Sequence, residues 1–147
     1  QTLFALRTLR HYGLPAGAIH TVFQATVVAK LSYASPAWWG FTSAADRARL
    51  ESFLRRSVRF GYRAESSPSL AAICSQADNR LFNNIKNNPS HLLHPLLPAT
   101  RQHNHELRDR IHDFQLPART SSLCDNNFII RILYKDMTFY SSSSQQQ

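Results

Sequence analysis

The stretch AADRARLESFLRRSVRF, residues 44 to 60, constrains this chain more than any other. With Arg47 set at zero and roughly 100° per residue, Leu50, Phe53, Leu54, Ser57 and Val58 fall between about 240° and 20°. Arg49, Arg55, Arg56, Arg59 and Arg63 fall on the opposite arc, between about 80° and 200°. An apolar arc facing a basic arc at this period is the signature of a helix with one face in a core and the other outside it. Thr42 or Ser43 supplies an N-cap, Asp46 complements the macrodipole in the first turn, and Gly61 stops the segment.

Helical punctuation continues on both sides. Leu3, Leu6 and Leu9 recur in QTLFALRTLRHYG, which Gly13 closes. Pro15 then opens AGAIHTVFQATVVAKLSYA, with Ile19, Val22, Phe23, Thr26, Val27, Lys30 and Tyr33 on one face and Val28 and Leu31 on others. A segment apolar nearly all round predicts a buried, central helix that ends at Ser35-Pro36. Ser67-Pro68 opens a helix carrying Leu70, Ile73 and Cys74 that stops near Asp78, and DNRLFNNIKNNP predicts a second short helix. From Pro89 to Pro117 the prolines Pro95 and Pro98 break the pattern into a long Pro/His-rich loop. Asp125 is the expected cap of NNFIIRILYKDM, where Ile129, Leu133 and Met137 share a face, although FIIRILY would also pass as a strand.

The expectation is a mostly α fold, a small bundle of about five helices with a long loop and a disordered Ser/Gln tail. Residues 1–88 form the helical domain with the Arg-rich helix, 89–122 an irregular segment, 123–140 a C-terminal helix packing back, and 141–147 a low-complexity tail. A first residue other than Met, inside an apolar-periodic segment, reads as a piece of something longer.

Charge narrows the function. The net charge is +8, and fourteen of the seventeen basic residues are arginine. Residues 1–63 hold +7 of that charge. Arginine's planar fork suits phosphate oxygens and stacks on bases, so this bias favours nucleic acid. Cys74 and Cys124 lack any CxxC spacing and His91, His94, His103, His105 and His112 match no zinc pattern, so no metal and no cofactor is expected. Catalytic constellations are missing too. There is no adjacent Asp-Asp pair, no GxSxG, and HELRD has Asp109 where a zinc protease needs its second histidine. No run approaches the ~20 apolar residues that cross a bilayer, and an intracellular location, nuclear or cytoplasmic, is expected.

The segments AKLSYASPAWWGFT, RLESFLRRSVRFGY, ADNRLFNNIKNNPSHLLHPLLP and LPARTSSLCDNNFIIRILYKDM together cover most of residues 3 to 137. In this order they resemble the region downstream of the reverse transcriptase catalytic core in non-LTR (LINE-type) retrotransposon polyproteins, particularly tick-transposon-like elements. The resemblance implies a non-catalytic thumb and C-terminal segment of an RNA-directed DNA polymerase, its aromatic-x-Asp-Asp motif lying upstream. It implies an RNA/DNA template-primer duplex and the upstream palm and fingers as partners, with no membrane and no small-molecule substrate. Arg55, Arg56 and Arg59 become phosphate contacts, with Arg49 and Arg63 as outer contributors. The chain departs from the family at Glu106, Asp109 and Asp113, in a stretch more basic in its relatives. A docking module for the palm and an inactive element relic are the alternatives. ASPAWWGF admits three readings for Trp38 and Trp39: an internal plug, an interface with the palm, or a base-stacking platform.

Overall fold

The computed structural model of the protein describes residues 2–100 and 112–135. They are mostly α-helical, as the periodicity requires, and among them the one extended pairing is an isolated antiparallel bridge between Thr100 and Phe114. His103, His105, Glu106, Asp109, Met137 and the Ser/Gln tail lie outside the described residues.

The chain divides into two compact units, residues 1–77 and 78–147. The boundary falls inside a helix, rather than at the loop after residue 88 where the change in composition puts it. In unit 1, α1 (Thr2–His11) and α5 (Ala44–Arg59) end in the same way. Gly13 at φ +86° and Gly61 at φ +68° adopt the left-handed conformation. Gly13 N–H donates to Arg10 O and Leu14 N–H to Leu9 O, while Gly61 N–H donates to Val58 O and Tyr62 N–H to Ser57 O. These paired bonds close the last turns as Schellman motifs, and glycine adopts that geometry without a Cβ penalty.

The segment after Pro15 departs from a regular helix. It comprises α2 (Ala16–Phe23), a π-helical turn Gln24–Val28, and α3 (Ala29–Ser32). Ala29 N–H reaches back five residues to Gln24 O. The extra residue in that turn rotates everything after it by roughly 100°. Hence the buried positions run Ile19, Phe23, Val28, with Leu31 packed alongside, while Thr26, Lys30 and Tyr33 face outward. The expected all-round burial is corrected as well, since Thr21, Gln24, Ala25 and Ala29 are also exposed and only one face is buried. The Thr26 hydroxyl donates to Val22 O at 2.7 Å, a back-bond of the kind that competes with the amide ladder.

The helix ends two residues earlier than Pro36 demands. Tyr33 leaves the helical region and Ala34 takes φ +49°, after which Pro36 fits within the first turn of the short α4 (Ser35–Trp38). A 3-10 turn, Trp39–Phe41, leads to Ser43, whose hydroxyl accepts from Asp46 N–H at 3.1 Å and caps α5. Leu6, Ile19, Phe23, Val28, Leu54, Tyr62, Leu70 and Cys74 form the core of this unit.

The two helices expected around Asp78 are one continuous helix, α6 (Leu70–Asn87). Asp78 does not cap or break it, because its buried carboxylate is held by the Arg131 guanidinium, one bond of the pair measuring 3.1 Å. In unit 2, Ser121 caps α7 (Ser122–Asn126), and Asn127 caps α8 (Phe128–Tyr134) by accepting from Ile129 N–H at 3.0 Å. Asp125, the expected cap, lies within α7 and pairs with Arg119 at 3.1 Å. FIIRILY is thus helical, with Phe128, Ile129, Ile132 and Leu133 on the face that packs with Phe82 and Ile85.

Candidate nucleic-acid interface

Four of the five arginines expected on one face are there. Arg49, Arg55, Arg56 and Arg59 are exposed on the outer side of α5, opposite Phe53, Leu54, Ser57 and Val58. From Arg49 to Arg59 the helix rises about 15 Å, over which the four long side chains can each reach a separate phosphate. Among the described residues one weak ion pair touches this row: Arg49 approaches Asp46 at 3.5 Å, both side chains well exposed.

Glu51, the remaining acid of α5, is turned inward. Its carboxylate accepts from Leu70 N–H at 2.9 Å, satisfying a donor at the start of α6, and it lies close enough to Arg63 to favour the charged guanidinium. Consequently the four exposed arginines have no acid interleaved among them beyond the first turn.

Arg63 does not belong to the row. It lies beyond Gly61, where the 100° progression no longer holds, and is only 6% exposed. Its guanidinium donates to Pro68 O, and burial pulls it below the ordinary arginine range while Glu51 pulls it back. It also lines an open cleft of about 430 Å³ with His20, Thr21, Gln24 and Ser67. Arg63 therefore holds the loop between α5 and α6, and its placement among the phosphate contacts is corrected.

The tryptophans are half-buried against the core of unit 1. Their rings meet edge to face at 5.9 Å and 78°. Trp38 Nε1–H donates to Tyr33 O at 3.1 Å, which ties down the chain where α3 ends. The Arg47 guanidinium covers one face of Trp39 at 4.5 Å and donates to Trp39 O at 2.9 Å. Each ring thus packs partly against the unit's core, and the covered face of Trp39 is closed to a base.

Two further residues escaped sequence reasoning. Arg10, on α1, donates through Nη1 to Phe60 O at the C-terminal end of α5 and lies over the Tyr62 ring at 5.0 Å. Phe60 itself is 55% exposed. A C-terminal carbonyl held by a cation is a favourable helix ending, but nothing local in the sequence joins residues fifty positions apart.

Among the described residues no cluster of three His, Cys, Asp or Glu could hold a metal ion, and no helix is long and apolar enough to cross a membrane. Cys74 is buried. Cys124 is exposed, its thiol held below the ordinary value first by hydrogen bonding with Ser121 and then with Thr120. No protein-family model, curated protein or solved structure shows a significant match to this chain.

Proposed function

We propose that the outer face of α5 binds nucleic acid through backbone phosphates, without sequence preference, as the non-catalytic thumb-like part of a non-LTR retrotransposon RNA-directed DNA polymerase. The observation that carries the phosphate reading is the row Arg49, Arg55, Arg56 and Arg59, exposed together while Glu51 is engaged inside the unit. The template-primer duplex as ligand, and the polymerase as parent protein, rest on the sequence resemblance. In this reading the arginines position a duplex and none of them acts on a reacting atom.

The reading is tested by fluorescence-anisotropy titration of the 147-residue chain with an RNA-DNA hybrid across a salt series. Four phosphate contacts lead to a log-log salt slope of about −3 to −4. An Arg55→Ala, Arg56→Ala, Arg59→Ala variant of unchanged circular dichroism is expected to flatten that slope to about −1. No binding by folded wild-type chain would sink the proposal. It would leave the inactive relic or a second reading, a docking module for the upstream palm, which the exposed Phe4, Leu9 and Tyr12 side chains of the α1 region favour.

A further inference from the structure

We infer that Phe60, with Arg10 beside it, is a base-stacking platform for single-stranded nucleic acid at the end of the arginine row. The inference rests on the phosphate-binding reading of α5 and adds a second mode of contact to it. Phe60 stands at the C-cap of α5, and continuing the helical progression puts its Cα direction near 220°, close to Arg49 and Arg56. The residue is more than half exposed, although phenylalanine has no polar handle to satisfy in water. Arg10 fixes the Phe60 carbonyl, and Tyr62, buried beneath, meets the Phe60 ring at 6.2 Å in a tilted contact. The ring is therefore mounted on a backbone held from three sides: by the Schellman bonds of Gly61 and Tyr62, by Arg10, and by the Tyr62 ring.

Such a mount suits stacking, since the backbone that carries the ring is already ordered and need not be ordered again when a base lies on it. Arg56 is one turn earlier, about 6 Å along the axis, so a single nucleotide can put its phosphate on that guanidinium and its base on the ring. Arg10 adds a cation at the same place. Neither tryptophan offers this combination, because both are half-buried against the core and one face of Trp39 is covered by Arg47. Paired bases inside a duplex keep their faces stacked on each other, so the platform selects an unpaired strand or a frayed end.

The test compares the 147-residue wild type with Phe60→Leu and Phe60→Tyr, using an oligonucleotide containing 2-aminopurine and a blunt RNA-DNA hybrid. The wild type is expected to quench 2-aminopurine emission on binding the single strand. Phe60→Leu is expected to lose that quenching and to lower the single-strand to hybrid affinity ratio about fivefold or more. Phe60→Tyr, which keeps a ring, restores both. Loss of hybrid binding in the triple arginine variant alongside an unchanged ratio in Phe60→Leu overturns the platform and leaves the phosphate reading standing. Wild-type chain that binds neither probe overturns both.

Discussion

Arg55 and Arg63 are eight positions apart and chemically identical, yet the fold uses one outside and the other inside. What separates them is Gly61. Up to that residue each side chain's direction follows from the helical period, and beyond it direction depends on where the loop runs. Replacing Arg63 by Ala removes the donor to Pro68 O and leaves the Glu51 carboxylate without its neighbouring cation. The expected cost is about 2 kcal/mol in urea unfolding, with the salt slope of hybrid binding unchanged. A flattened slope with unaltered stability would return Arg63 to the binding row. Glu51 repeats the lesson with the opposite sign. In sequence it reads as an acid near the arginine row, and only its contact with Leu70 shows that it does not neutralise that row.

At the scale of elements, the cap of α5 and the stops of α1 and α5 were legible while phase and continuity were not. Ser43, Gly13 and Gly61 act where their chemistry predicts, because capping depends on residues within one turn. Gly61→Ala tests how much of the α5 ending is conformational. A Cβ there would meet Arg10 Nη1 at an ordinary 3.6 Å, so the cost is that of the left-handed backbone, about 1 to 2 kcal/mol by chemical denaturation. A cost near zero would mean that the turn relaxes, and the Phe60 mount with it. The π-helical turn at Gln24–Val28 had no comparable signal. A regular period assigns Thr26, Lys30 and Tyr33 to the core side, and one extra residue in a turn exchanges them for Val28 and Leu31. Likewise Asp78 looks like a helix breaker until Arg131, fifty-three positions later, gives its carboxylate a buried partner.

For the molecule as a whole, the mostly helical bundle expected from periodicity is present, and among the described residues it is built on two core clusters. One gathers Phe23 and Leu54, the other Ile85 and Leu133, and the division runs through α6 after Ala77. Asp78→Ala leaves the Arg131 guanidinium without its carboxylate in the second unit, a loss of about 3 kcal/mol for a largely buried pair. Hydrogen exchange is expected to lose protection in α8 and the second half of α6, while α2 and α5 keep theirs. Equal loss throughout would mean that both cores open as one cooperative body. By itself the sequence determined the helical class, the ends of α1 and α5, and the apolar and basic arcs of α5, since all of these follow from periodicity and chemistry within a few residues. Tertiary structure alone decided which charges remain outside. Glu51, Arg63, Asp78 and Arg10 each take their role from a contact beyond their own turn of chain, and burial or pairing of a charge is a property of that contact and not of the residue.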